Sequence, residues 1–308
     1  MKGVAVVSLF WLALGAAANA QAPRIADYRP IFDACRDAGG AQRLAIRALT
    51  LDGAKHVLSV DPQTLAMRVE AAAGLTCAPT ADEAQKDTRF VRALRGAGRE
   101  ITTASGVSRN AGLMHGSGGG VFVTGDLCPT NKPLDRGFLE LLMRQGAGTP
   151  VALAISGNWL KRHGADFDWL RGLKARGALD ITWVNHSTRH PYARGLAETQ
   201  NYLMTPGSDL DAEIFETEKL LIEHGETPSV FFRFPGLVAD AALMDKLRAR
   251  HLVALGADAW LALTGRAQAG SIVLTHPNGN EPYGLKLFAR LLEQGKLPKP
   301  FRPLNEAP

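Results

Sequence analysis

The sequence predicts an α/β domain built around a mostly parallel sheet, preceded by a small mixed α+β module. Three observations carry this. From residue 121 onward, short apolar runs alternate with amphipathic stretches; a glycine cluster, Gly116-Ser117-Gly118-Gly119-Gly120, separates that region from one without the rhythm; and polar residues collect just after the apolar runs. With 46% apolar, 21% charged and 7% aromatic residues among 308, the composition is that of an ordinary globular protein, which excludes disorder, collagen and coiled coil.

Residues 1–20 stand apart as an expected signal peptide. Lys2 precedes a nearly unbroken apolar run over residues 4–18 that ends in Ala18-Asn19-Ala20. A positive start, a short apolar stretch and small residues at the cleavage point are what signal peptidase reads. The expected mature chain is secreted or periplasmic, and no later stretch is long and apolar enough to cross a membrane. The formal charge of +5 comes without a basic run, so nucleic acid is not an expected partner. Export permits a disulfide, and Cys35 with Cys77 is the natural pair because both fall in the N-terminal third, leaving Cys128 alone. No CxxC is present to support a redox enzyme or zinc ribbon.

Residues 21–116 read as the small module, of unassigned role. Residues 30–35 look like the start of a short helix; 56–60, then Asp61-Pro62, then 64–70 look like strand, turn, strand. The glycine cluster reads as a flexible joint or tight turn, and its place before a strand with no GK[ST] after it excludes a phosphate loop. Residues 117–300 form the α/β domain, and 301–308 a C-terminal tail. Strands are expected at 121–124, 151–155, 179–184, 229–233, 252–255 and 271–275, with helices at 134–144, 166–175, 209–224, 240–250 and 282–293. Six strands in roughly 180 residues are too few for a full eightfold barrel, whose usual size is about 250 residues. An incomplete barrel or a doubly wound sheet fits better.

Parallel α/β folds place their sites at the C-terminal ends of the strands, where loops converge. There the sequence puts Asp126, then the run Asn185-His186-Ser187-Thr188-Arg189-His190, then Arg233, Asp258 and His276. In His186-x-x-x-His190 one helical turn would bring both imidazoles to one face, where two can hold a metal ion. Arg233 lies among aromatic residues in Phe231-Phe232-Arg233-Phe234-Pro235 and needs a carboxylate partner if buried; Asp126 or Asp258 would provide it. His56, His115, His163, His224 and His251 lack clustered partners and read as structural or surface residues, and Trp159 and Trp169 as packing. The loop 277–281 directly follows His276 and is expected to rim the pocket and select substrate.

These motifs carry a resemblance. The order T-x-D-x-x-P-T at Thr124, N-H-x-x-x-H-P at Asn185, F-R-x-P at Phe232, D-x-W at Asp258 and L-x-H at Leu274 resembles the polysaccharide deacetylases of carbohydrate esterase family 4, the NodB-homology domain, over residues 120–297. The resemblance implies a distorted, incomplete β/α barrel. It also implies removal of acetyl groups from N-acetylated glycans such as chitin-like polymers or peptidoglycan, with a divalent ion, commonly zinc, held by one Asp and two His. Carried over, His186 and His190 bind the metal, Asp126 is the base, Arg233 keeps it ionised, and His276 is the acid with Asp258 on its far side; Trp260 lines the sugar pocket. Two places depart from the pattern. Leu127 stands where the metal-binding Asp is expected, so that Asp126 shifts from base to ligand, or two histidines and waters hold the ion, or none is bound, with Cys128 as a substitute thiolate. Phe234-Pro235-Gly236-Leu237 lacks the usual Tyr, leaving a backbone N–H of Gly236 or Leu237 for the oxyanion. Three readings follow: a metal-dependent deacetylase or amidase, a glycan-binding module with Trp159, Trp183 and Trp260 in its groove and no metal, or a related hydrolase of another acyl or amide substrate.

Overall fold

The structure, a computed structural model, describes residues 22–97 and 105–308; the expected signal peptide at 1–20 lies outside the described residues. The chain begins with β1 (Ile25–Asp37), β2 (Gln42–Leu51), β3 (Ala54–Val60), β4 (Met67–Ala71) and β5 (Leu75–Pro79), followed by helix α1 (Arg89–Gly96). The five strands form one antiparallel sheet in the order β4-β3-β2-β1-β5. The helix expected at 30–35 is therefore strand. Pro30 sits between two irregularities in the β1–β2 register, where a missing N–H is tolerated, and pairing on both sides overrides the local helix signal. Cys35 and Cys77 lie directly opposite each other on β1 and β5 and form the expected disulfide.

The second part comprises β6 (Val107–Arg109), β7 (Phe122–Leu127), α2 (Arg136–Met143), β8 (Thr149–Ile155), α3 (Gly157–Arg162), α4 (Gly164–Ala175), β9 (Leu179–Asn185), α5 (Leu210–Glu223) and β10 (Pro228–Phe232). It continues with β11 (Val238–Asp240), α6 (Ala241–Arg248), β12 (Val253–Ala254), β13 (Ala259–Trp260), α7 (Leu261–Thr264), β14 (Ile272–Thr275) and α8 (Pro282–Glu293). Seven of these strands form a parallel sheet, in the order β12-β10-β9-β8-β7-β14-β13, curled into an incomplete barrel. All six expected strands and five expected helices are present in it. Several helices start where a side chain accepts a backbone N–H: Asp135 from Phe138, Asp209 from Ala212 and Asp240 from Leu243.

Both faces of the parallel sheet are buried, which is why its strands read as nearly continuous apolar runs. Val121, Val123, Leu127, Val151, Leu153 and Trp183 face outward onto α2, α4 and α8 through Phe138, Phe167 and Phe288. Phe122, Ala152, Ala154, Val184 and Phe232 belong to a second core, shared with Leu44, Ile46 and Leu58 of the antiparallel sheet and with Phe90 of α1. A buried ion pair ties the antiparallel sheet to a helix of the barrel: Arg47 of β2 donates through Nε (2.8 Å) and Nη2 (3.0 Å) to Glu218 of α5.

The strand order leaves the sheet open beyond β12 and β13, and the stretch before the glycine cluster covers that edge. Leu113 N–H donates to Ala254 O, Gly256 N–H to Leu113 O, and Gly116 N–H to Gly270 O, satisfying strand-edge groups that would otherwise lie bare. Gly112, at φ 122°, passes so close that a Cβ there would lie 2.4 Å from the Ala254 carbonyl carbon. Residues 301–308 are likewise packed: Phe301 and Leu304 are buried, and Arg89 donates to Pro308 O. No helix among the described residues is long and apolar enough to cross a membrane.

Candidate active site

A cleft of about 400 Å³ opens at the C-terminal ends of the parallel strands. Its lining includes Asp126, Cys128, His186, His190, Trp260 and His276, together with Tyr192, Tyr202, Gly236, Asn280 and Glu281. The strand-end residues thus converge, with one exception described below.

Asp126 is held from below. It lies on β7 with 3% exposure, and the fully buried Arg233, just after β10, donates from Nη1 to its Oδ1 at 2.6 Å. The same Nη1 reaches Thr124 Oγ1, and Nη2 reaches Gly256 O. Burial pushes the Asp126 carboxyl up, but the Arg233 guanidinium, helped by the neighbouring His186 and His276 rings, outweighs it and holds the group below the usual carboxylate range. Of the two partners expected for Arg233, Asp126 is the one present.

His186 and His190 meet, but not on a helix. The segment after β9 is an irregular turn in which Ser187 and His190 have φ of 63° and 50°. Its shape is imposed by buried polar groups: Asn185 Oδ1 accepts the Ser187 N–H, while Glu213 of α5 accepts the N–H groups of Thr188 and Arg189. The two rings come to 4.7 Å between centroids. His186 Nδ1 lies 2.8 Å from Arg233 O, a contact that needs the proton on Nδ1 and leaves Nε2 with its lone pair free. That Nε2 is 3.6 Å from Asp126 Oδ2 and 3.5 Å from Cys128 Sγ. Burial lowers the pKa of both histidines; for His190, burial and then the neighbouring His186 bring it to about 3. Both are neutral near pH 7.

His276, at the end of β14, bonds through Nδ1 to Glu281 Oε2 at 3.0 Å, and Trp260 Nε1 donates to the same carboxylate at 2.9 Å. Glu281 therefore orients both. Asp258, expected behind His276, is instead turned away: its Oδ2 pairs with His115 Nδ1 at 2.7 Å and its Oδ1 accepts the Ile272 N–H. The cause is the edge-covering stretch at residues 112–116, which brings His115 alongside Asp258. His115, read as unpartnered, thereby acquires a partner outside the cleft.

Trp159 and Trp183, the groove aromatics of the glycan-binding reading, are fully buried behind the sheet. Trp260 alone of the three lines the cleft. Two tyrosines not expected from the sequence, Tyr192 and Tyr202, also line the cleft, their rings 5.4 Å apart. Tyr202, placed by the Asn201 clamp on Ala193, covers Gly236, where a Cβ would lie 2.5 Å from its ring at φ 65°. The only sequence signal was Asn201 itself, a loop residue whose side chain mimics backbone. Of the two oxyanion candidates, the Leu237 N–H is spent on Phe234 O, and Gly236 lines the cleft.

No family model matches the chain. Solved structures to which it is similar include a family 4 carbohydrate esterase from Bacillus anthracis, 18% identical, covering 64% of this chain and 87% of that one with a TM-score of 0.45. PdaA of Bacillus subtilis, also a family 4 carbohydrate esterase, is 14% identical over 64% of this chain and 84% of its own, with a TM-score of 0.46. BA3943, a CE4 family pseudoenzyme from Bacillus anthracis, is 15% identical over 59% and 64%, with a TM-score of 0.41. The chain is similar to family 4 carbohydrate esterases. At such scores the similarity adds nothing to the chemistry, which stands on the side chains.

Against the family 4 motif, the position of Leu127 is informative. Alternation along β7 turns Asp126 to the cleft and Leu127 to the outer core, where it is fully buried, and Cys128 comes back to the cleft. The loop after β14 rims the cleft as expected, through Asn280 and Glu281.

Proposed function

We propose that this protein is an exported, metal-dependent hydrolase that removes N- or O-acetyl groups from a cell-envelope or extracellular polysaccharide. The observation that carries the reading is a buried, Arg-paired carboxylate, Asp126, sharing a cleft with a carboxylate-oriented histidine, His276, and a facing pair of neutral histidines. A base and an acid held apart in one pocket are what hydrolysis of an amide or ester requires.

The donor set fits a divalent ion. His186 has Nδ1 pinned by a backbone carbonyl and Nε2 aimed into the cleft, the arrangement that orients imidazole ligands, and His190 stands beside it. Zinc suits such nitrogen donors. When bound, a divalent ion supplies Lewis acidity, polarising an acyl oxygen and making water more acidic. The chain's own residues do the rest. Asp126, kept ionised by Arg233, takes a proton from the attacking water. His276, held by Glu281, gives a proton to the departing amine nitrogen or hydroxyl oxygen as the bond to the acetyl carbon breaks, so that acetate and the free sugar group leave. The indole of Trp260, fixed by its N–H to Glu281, offers a flat apolar face to a sugar ring.

The test is acetate release from acetylated chitin oligomers, peptidoglycan and O-acetylated xylan, with Asp126→Asn beside the wild type. Expected is release from at least one glycan, reduced on the order of 10²–10⁴-fold in the variant. Release that is absent on all three with metal supplied, or equal in Asp126→Asn, overturns the reading.

A further inference from the structure

We infer that Cys128 is the third protein ligand of the metal site, replacing the carboxylate that the sequence pattern places at position 127 and leaving Asp126 free to act as base. This deepens the reading above and rests on it only for the catalytic role of Asp126.

Four observations lead there. The donor atoms of Cys128, His186 and His190 all lie within 4.8 Å of one another. With metal–sulfur bonds of about 2.3 Å and metal–nitrogen bonds of about 2.0–2.1 Å, tetrahedral ligands sit between roughly 3.3 and 3.7 Å apart. The Cys128 to His186 separation of 3.5 Å is already in that range. Among the described residues, the His190 ring meets the His186 and Tyr202 rings edge-on, and the backbone that carries it is held by its N–H to Ser187 Oγ. A half-buried imidazole set beside a thiol and a second imidazole, on a backbone fixed in that place, suits a ligand held in common. Cys128 is also braced, since Asn278 Nδ2 donates to its carbonyl at 3.1 Å and fixes the backbone that carries the thiol. Finally, Asp126 is already committed, its Oδ1 to Arg233, and Leu127 faces the outer core.

A thiolate changes what the site prefers. One sulfur with two imidazoles suits zinc or cobalt and disfavours the hard, oxygen-seeking ions magnesium, calcium and manganese. The charge differs little from a carboxylate set, so the electrostatics of the cleft survive while the selectivity shifts.

The experiment uses the full mature chain, stripped of metal and titrated with Co²⁺, read by absorption spectroscopy and by metal content after dialysis. Expected is one equivalent bound, with an intense near-ultraviolet sulfur-to-cobalt band beside the weaker visible bands. Cys128→Ser should lose the ultraviolet band and bind at least ten-fold more weakly, whereas Cys128→Asp should bind without that band and recover affinity for Mn²⁺. Circular dichroism checks that both variants fold. Cobalt bound by the wild type without the band, or equal affinity in Cys128→Ser, overturns the assignment, as does binding by neither. Acetate release is measured separately. Release with bound cobalt but no band removes Cys128 and keeps the deacetylase; the band without release from any glycan keeps Cys128 and removes the deacetylase.

Discussion

Replacing Arg233 with Met keeps much of the side chain's volume and removes one charge from a pair that is almost wholly buried. Arg233 is fully buried and Asp126 nearly so, and their contact of 2.6 Å is the strongest compensation the carboxylate has. Breaking a buried pair on one side costs about 3–5 kcal/mol, because the remaining charge is left uncompensated. Thr124 Oγ1 and Gly256 O also lose their donor, which keeps the expected loss at the upper end of that range. The pH dependence gives the sharper test. In the wild type the folded Asp126 titrates below its unfolded value, so its contribution to stability is present above about pH 4 and is lost as pH falls through the folded value. Without Arg233, burial dominates and raises the carboxyl, so the folded state takes up a proton before the unfolded one does. Lowering the pH should then shrink the deficit of the variant relative to wild type. Urea unfolding of the metal-free proteins at pH 7, 6 and 5 measures this, with Asp126→Asn/Arg233→Met completing the cycle. A deficit below about 1 kcal/mol, or one that does not change with pH, would refute the account of Asp126 as a carboxylate held ionised by Arg233.

The other predictions concern separate parts of the molecule. Glu281→Ala releases both His276 and Trp260, and acetate release should fall within the roughly 10²–10⁴-fold that a positioned acid contributes, with thermal stability little changed; an unaltered rate would show that Glu281 orients nothing that matters. The metal-free protein should lose about 2–3 kcal/mol between pH 6.5 and 4.5 through His190, whose folded value near 3 lies below its unfolded one so that only the unfolded chain gains the proton, and His190→Gln should flatten that slope in urea unfolding. Cys35→Ala/Cys77→Ala opens a loop of 42 residues and should lower stability by about 4 kcal/mol in denaturant without changing acetate release, because the bond lies in the antiparallel sheet away from the cleft.

Much of the barrel and the ingredients of its site were legible in the linear pattern. A strand buried on both faces leaves an unbroken apolar run whatever surrounds it, so β7 to β10 and β14 could be read directly, and the helices between them by their amphipathic spacing. The loops at the C-terminal strand ends then named Asp126, His186, His190, Arg233 and His276 as one group. The period of two along β7 also held the answer to Leu127, since it sends that side chain to the opposite face from Asp126 and Cys128. By contrast residues 30–35 within β1 look locally like the start of a helix, because a proline and a few residues of local preference cannot reveal pairing with β2 on one side and the distant β5 on the other.

Side-chain partnership was settled only in three dimensions. Arg233 had two candidate carboxylates, and packing brought it Asp126 while the covering stretch at residues 112–116 gave Asp258 to His115. Glu281 became the partner of His276 because a tight loop returns it to the strand end, and Trp159 and Trp183 left the groove because their strand and helix face the outer core. The turn that joins His186 to His190 has no helical period, since its shape comes from Glu213 and Asn185. Periodicity along the chain reports which face of an element is apolar, a local property. Which polar group meets which depends on how distant elements pack, and a hydrogen bond or ion pair formed across such distances leaves no spacing in the sequence to read.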